Sequence, residues 1–403
     1  MSSRILTTHV GSLIRPPALV EFLKARLADK PYDHAAYEAC LAESVRGIVK
    51  QQAETGIDIV SDGEFGKAHW VRYVAERLAG VEARVMPGQT PAVFGGRDRE
   101  RFPDFYAEYD KTLPYARAYD FVVTGPIAYR GRAHIERDIA NLKAALAGRK
   151  RAGGFLPGVA PASLLPELKD EYYGSTEKLA FAVADALREE YLAITEAGLI
   201  AQVDDAWLPA MYDRMVPPGK PADYRRWAGM CVEALNHALR GIPESLTRYH
   251  ICWGSWNGPH TADLPLEKIA NLIVQVKAGG YSVEAANPRH AHEWKVWKDV
   301  KLPAGRSLLP GVISHATNIV EHPELVAERL VRFAGVVGRE NVIGSTDCGF
   351  AQGAFYRRVH PSIMWAKLGA LVDGARIASK QLWAKAKPAQ TRPGKAKAKK
   401  KAA

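Results

Sequence analysis

The stretch Arg248-Tyr249-His250-Ile251-Cys252-Trp253 is a short run with strand character that carries chemistry on alternate positions. Residues two apart in a strand leave the same face, so His250 and Cys252 project together. An imidazole and a thiol on one face make half of a tetrahedral zinc site, and they are ordinary core residues when nothing joins them. Two later runs supply further ligand types. Tyr281-Ser282-Val283-Glu284 ends in a carboxylate whose burial is costly without a partner. Val342-Ile343-Gly344-Ser345-Thr346-Asp347-Cys348 ends in a second thiol. The pattern predicts one zinc ion held by His250, Cys252, Glu284 and Cys348.

Outward from this stretch, short apolar runs alternate with longer amphipathic ones. Strands are predicted at 5–10, 57–61, 121–124, 155–159, 200–203, 249–252, 282–285, 308–313 and 342–345. Helices are predicted at 37–54, 134–146, 175–197, 224–240, 265–278 and 323–337. Ser175 ahead of Glu177 and His322-Pro323-Glu324 are start signals. Gly56, Gly198, Gly279 and Gly338 follow helix ends. Such alternation means parallel strands with crossover helices.

Nine strands for eight places fit a (β/α)8 TIM barrel with one candidate too many. An open doubly wound sheet would bring a glycine-rich phosphate loop, and neither G-x-G-x-x-G nor a Walker pattern is present. Barrel chemistry gathers at the C-terminal ends of strands. Gly11-Ser12, Asp62-Gly63-Glu64, Gly125-Pro126, Asp204-Asp205, His250 with Cys252, Glu284, His315 and Asp347-Cys348 all fall at such ends. Residues 1–380 are expected to form a single catalytic barrel. Within it, 80–119 is rich in Pro, Gly, Arg and aromatics and reads as an insertion, a flap over the mouth. Residues 381–403 read as a Lys/Ala/Pro-rich disordered tail.

Composition limits the function classes. Hydrophobic residues make up 47% and charged residues 25%, as in soluble globular proteins. No apolar run approaches the roughly 20 residues that cross a bilayer, and the first residues lack a secretory pattern. Four cysteines make no disulfide framework, so a reducing, cytoplasmic setting is expected, with Cys40 and Cys231 as inert core thiols. The net charge is +11, but eight Lys/Arg and no acid lie between Ala384 and Ala403, leaving +3 for everything else. That placement argues against a specific nucleic-acid surface on the folded part. A non-enzymatic zinc or nucleic-acid binder working through its tail is the reading from another class. A metal-free barrel like the uroporphyrinogen decarboxylases is a third.

The ligand residues, His250-x-Cys252, Glu284 after Ser-Val and Cys348 in Asp-Cys-Gly, resemble the zinc ligands of the cobalamin-independent methionine synthases. The similarity runs through most of the chain and is strongest to the single-barrel branch, which also includes the epoxyalkane:coenzyme M transferases. It implies a zinc-dependent transferase whose metal activates a small-molecule thiol. Thr8-His9-Val10-Gly11-Ser12 looks like the segment that binds homocysteine through its backbone and serine. Glu64 and Asp204, in Asp62-Gly63-Glu64 and Gln202-Val203-Asp204-Asp205, resemble the acids that hold its ammonium. For Glu64 a solvated loop acid, and for Asp204 a helix N-cap, are the structural alternatives.

The family's general acid is a histidine after a similar Gly-Val run. His315 lies one residue earlier than that pattern, which turns a strand residue to the other face. The family's pterin-stacking tryptophan is missing after Gly125-Pro126, where Tyr129 could stack and Arg130 and Arg132 could meet an anion. Trp253 and Trp256 could wall an alkyl donor or pack in the core, and His290 with His292 reads as a surface cluster, with a place behind the metal ligands as the alternative. The implied reaction is methyl transfer to homocysteine from a donor such as 5-methyltetrahydrofolate, giving methionine. The alternative is epoxide opening by a coenzyme-M-type thiol. No membrane partner is expected, and the sequence does not fix an oligomeric state.

Overall fold

The computed structural model describes residues 3–28, 30–85, 96–112, 119–149, 153–355 and 358–384. Eight parallel strands run β1 (Leu6–Thr7), β2 (Ile59–Ser61), β3 (Gly153–Val159), β4 (Ile200–Asp205), β5 (Thr247–Ile251), β6 (Gly280–Glu284), β7 (Ser307–Ile313) and β8 (Ile343–Thr346). Each pairs with its neighbours in chain order from β2 to β8, and β8 pairs with β1. Two bonds bridge the remaining gap: the Asp58 N–H donates to the Thr7 carbonyl (3.1 Å), and the Thr8 hydroxyl to the Ile59 carbonyl (2.9 Å). The sheet thus comes round into the expected (β/α)8 barrel.

The ninth predicted strand is the surplus one. Residues 121–124 lie within Tyr119–Tyr129, which pairs antiparallel with Leu78–Val85 and parallel with Leu168–Asp170 in a separate three-stranded sheet. Its β-rich Phe-Val-Val run satisfies its edges there rather than in the barrel. The insertion therefore starts at Leu78. Residues 86–95 and 113–118 of it, and the tail from 385 onward, lie outside the described residues. The last helix is Pro361–Trp383, three residues longer than the expected domain boundary allowed.

The long crossovers follow the predicted pattern. In His34–Thr55 the buried residues Tyr37, Leu41, Val45, Ile48 and Val49 recur at helical spacing. Asp33 caps its start by accepting the Ala36 N–H (3.0 Å), and Gly56 ends it at φ 100°, where a Cβ is disfavoured. Gln52 is the polar exception on that face. Its amide oxygen accepts from the Ser61 N–H (3.0 Å) and lies 2.7 Å from the His9 ring, tying together the ends of β1 and β2. The crossovers flanking β6 are shorter than expected: 265–278 is no long helix, only the turn Leu266–Lys268 and Ala270–Ile273.

Two buried charge networks hold the frame. Inside the barrel, the Arg248 guanidinium donates to Gln202 Oε1 (2.7 Å), the Thr8 hydroxyl (3.0 Å) and the His9 carbonyl (2.9 Å), 3.6 Å from the Phe155 ring centroid. Burial pushes its pKa down to about 9, so it stays charged at neutral pH. Outside the barrel, Arg77 donates to Glu190 and Asp138, 2.9 Å each, and the hydroxyls of Tyr73 (2.6 Å) and Tyr129 (2.7 Å) donate to Glu190. This cluster roots the insertion on helices Arg132–Leu146 and Thr176–Glu196. Burial pushes both carboxyls up, and the arginine charges beside them override it, leaving both below the usual range.

Removing one partner from such a network strands the others. Arg77→Met is expected to cost about 3–5 kcal/mol, read as a lower urea midpoint with an unchanged slope. A midpoint equal to wild type would show that the cluster does not hold the insertion.

Candidate active site

The parallel register sets the site's floor. Asp204 is level with His250, and His250 with Ser282. Continuing that register places Cys252, just past β5, beside Glu284 at the end of β6. Cys348 arrives two residues beyond β8. Among the described residues, His250, Cys252 and Cys348 form the group whose ligand atoms all lie within 4.8 Å of one another. The two sulfurs are 3.5 Å apart; two sulfurs about 2.3 Å from a tetrahedral ion would be about 3.8 Å apart. Both ring nitrogens of His250 are buried without a hydrogen-bond partner, a costly state unless something is bound there. The residues present therefore fit a metal ion.

The thiols differ electrically. The hydrogen bond from Cys252, with His250 and His315 close by, holds Cys348 well below the ordinary thiol range despite burial. The same bond and burial push Cys252 up. Glu284 is buried close behind but outside the three-residue group. Its Oε1 accepts the Trp253 N–H (3.1 Å) and its Oε2 the Asn287 amide (2.6 Å). Burial raises its pKa.

A cavity of about 660 Å³ opens above these thiols. Ser12, Glu64, Asp204, His250, Cys252 and Cys348 line it, so the structure brings together most of the residues picked from the sequence. Gly11 passes at φ +137°, and a Cβ there would come within 2.6 Å of Pro157 and 3.0 Å of Glu64. Only glycine allows β1 to turn at that point. Glu64 adopts φ +59°, a strained conformation for a residue with a side chain. It is secured by its N–H to Asp62 (2.9 Å) and by Arg15 on its carbonyl (2.7 Å).

Burial raises the pKa of Glu64, opposed by Lys67 (3.9 Å) and Arg15. Burial takes Asp204 up to about 8, with the Glu64 charge adding to it. Asp204 is not the helix cap. That role falls to Asp205, which accepts from the Leu208 N–H (3.1 Å) and the hydroxyls of Ser163 (2.7 Å) and Tyr249 (2.7 Å).

Other expected site residues lie elsewhere. The Tyr129 hydroxyl is committed to Glu190, and Arg130 is exposed with its Nε on the Glu76 carbonyl (3.3 Å); neither lines the cavity. Their positions follow from the surplus strand, which carries them out of the barrel. His315 is buried beyond β7 with both ring nitrogens unpartnered, also outside the lining, and burial pushes it down to about 4. Trp253 packs inward, donating its Nε1–H to the Leu264 carbonyl (2.7 Å), and Trp256 donates to the Tyr106 hydroxyl (3.1 Å). Lining residues that the sequence reading missed include Trp70, Arg72, Trp207, Arg214 and Arg358. Trp207 and Arg214 share one helix, Trp207–Met215, after β4, a position the barrel rule could have flagged.

His290 is a correction. It is buried, not on the surface, between Glu293 (2.7 Å) and Asp263 (3.1 Å), its ring 4.1 Å from that of Trp253. His260 shares Asp263 (3.0 Å). Burial lowers the His290 pKa, but Asp263, Glu293 and the nearby Glu284 raise it to about 10. A raised histidine stabilises fully below its unfolded pKa of about 6.5 and loses that contribution as pH climbs through about 10. The stability advantage of wild type over His290→Gln is therefore expected to shrink steadily from pH 6.5 to 10 in urea titrations. A constant difference would refute the charged-histidine assignment.

Residues 5–93 match the family model described as cobalamin-independent synthase, catalytic domain. The chain is similar to the methionine synthase of Sulfurisphaera tokodaii, 25% identical over 379 residues covering 93% of each chain. It is equally similar to the 2-hydroxypropyl-CoM lyase of Xanthobacter autotrophicus, 26% identical over 412 residues, covering 96% of this chain and 97% of the relative. In fold it resembles a B12-independent methionine synthase from Shewanella sp. W3-18-1, solved with selenomethionine. The TM-score is 0.71 at 22% identity, covering 94% of this chain and 99% of the other.

Proposed function

We propose that the chain, which matches the cobalamin-independent synthase catalytic-domain model over residues 5–93 and is similar to methionine synthases along most of its length, is a zinc-dependent transferase that methylates the thiol of homocysteine to give methionine. The observation that carries the reading is the unpartnered His250 ring beside two buried cysteine sulfurs, at the base of a cavity whose lining includes the carboxylates of Glu64 and Asp204. His250, Cys252, Glu284 and Cys348 would hold the metal. Bound there, zinc supplies the positive charge that keeps a substrate thiol deprotonated at neutral pH.

The rest of the chemistry belongs to the chain. Glu64 and Asp204 take the amino-acid ammonium, which relieves the repulsion between them. Ser12 and the backbone at Gly11 orient the substrate carboxylate. The sulfur attacks the methyl carbon, the carbon–donor bond breaks toward the donor, and a methyl-tetrahydrofolate nitrogen takes a proton. His315 lies outside the cavity lining, and burial keeps its ring neutral, so that proton comes from solvent in the cavity. The insertion supports the flap reading: Asp98 accepts the Thr261 N–H (3.0 Å), and Arg97 pairs with Asp213 (2.8 Å), so its start sits on the helix after β4 and the loop after β5.

A second reading has a specific observation behind it. Arg72, Arg214 and Arg358 line the same cavity, and a cationic wall suits a sulfonated thiol that opens an epoxide. The thiol separates the two. With homocysteine as substrate, Glu64→Gln is expected to raise KM about 10- to 100-fold, as loss of a charge-assisted hydrogen bond predicts. A sulfonated thiol would be indifferent to that change, and an unchanged homocysteine KM would transfer the assignment to it.

The metal is tested independently. Purified protein is expected to carry about one zinc per chain by elemental analysis, and to lose it on Cys348→Ala or His250→Ala. Full activity in zinc-free protein would end the metal reading.

A further inference from the structure

We infer that Asn287, itself held by Asp347, is a positioning residue that sets Glu284 as the fourth metal ligand. The inference rests on the zinc reading above and extends it to residues that touch neither the substrate nor the ion.

Glu284 differs from the other three proposed ligands. It stands outside the tight His250/Cys252/Cys348 group and does not line the cavity. Both its oxygens are engaged from opposite sides. Trp253, which donates its N–H to Oε1, follows Cys252 directly; Asn287, which donates its amide to Oε2, is bound by the residue preceding Cys348. Asp347 is fully buried, and its side-chain carboxylate hydrogen-bonds one turn. Its Oδ1 accepts the N–H groups of Ala285 and Ala286 (2.8 Å each), and its Oδ2 accepts the Asn287 N–H (2.9 Å) and side-chain amide (3.2 Å).

Asn287 cannot turn its amide round without loss. Its Oδ1 already accepts the N–H groups of Arg289 (3.0 Å) and His290 (3.1 Å), which fixes the NH2 toward the two acids. A neutral donor is the group this place needs. It orients a carboxylate without cancelling the negative charge that the carboxylate brings to a cation, and each carboxylate oxygen keeps a lone pair free.

The route from β8 to the turn after β6 crosses β7 at Gly311, which is level with Glu284. A Cβ there would lie 2.5 Å from the Asp347 Cα and 2.7 Å from its Oδ1. The absent side chain is the space through which Asp347 reaches Asn287.

The test uses the full chain. Zinc affinity is measured by competition with a chromophoric chelator, and the cobalt(II)-loaded protein is examined by absorption. Asn287→Ala is expected to weaken zinc binding about 10- to 100-fold. The thiolate-to-cobalt bands should survive while the ligand-field bands shift. In a Glu284→Gln background the same substitution should change affinity by less than about twofold, because the group it acts through is gone. Should Asn287→Ala not fold, Asp347→Asn, which keeps the shape but turns a donor toward Asn287, is expected to give the same loss. Wild-type affinity and spectrum in the variant, or an equal loss in both backgrounds, overturns the inference. Wild-type protein that binds no zinc at all removes the metal reading itself, and the inference with it.

Discussion

Asp204, His250 and Ser282 stand at one level because three parallel strands hydrogen-bond in a fixed register, and a slip of one residue would turn each side chain to the other face. Every distance in the site descends from that pairing. The thiol of Cys252 approaches that of Cys348 across ninety-six residues of sequence because β5 and β8 end on the same rim of a closed sheet. The two bonds between β1 and β2 matter for the same reason. An open sheet would leave Ser12 and Glu64 at a free edge rather than opposite Asp204.

The interior then carries more charge than a barrel needs for packing. Glu64, Asp204, Glu284, Asp347 and Arg248 are all buried, and each carboxylate among them has its pKa raised by that burial. Buried charge is poor evidence for stability. Its concentration at one end of the barrel, with Glu64 held in a strained conformation, is the pattern of a binding site. The Arg77 network is the contrast: its acids are depressed below their usual range by arginine, and its work is structural.

The barrel was legible because its alternation is coarse and repeated, and eight of nine predicted strands fall in it. Residues 121–124 were not separable, since an apolar β-rich run reads alike in a barrel and in a side sheet. That one error displaced Tyr129 and Arg130. His250, Cys252 and Cys348 could be picked because each ends an apolar run with a residue of metal-binding type. Glu284 could be picked the same way, but its hold by Asn287 could not, because that contact depends on a turn closed from another strand. His290 read as surface because it sits among polar residues, and its partners Asp263 and Glu293 reveal themselves only when loops fold together. The lining arginines are scattered over separate loops, with no spacing to announce them.

Arg248 lies beneath the carboxylates with no acid in hydrogen-bond contact, sealed among Phe155, Gln202, Thr8 and the His9 carbonyl. Mobile ions screen charges they can approach, over a Debye length of about 8 Å at physiological ionic strength. They cannot approach this one. The attraction of the rim arginines for an anion therefore fades in concentrated salt, while the field rising from the barrel floor persists. Solutions of high and of low salt would meet the same potential at the bottom of this cavity and a different one at its mouth.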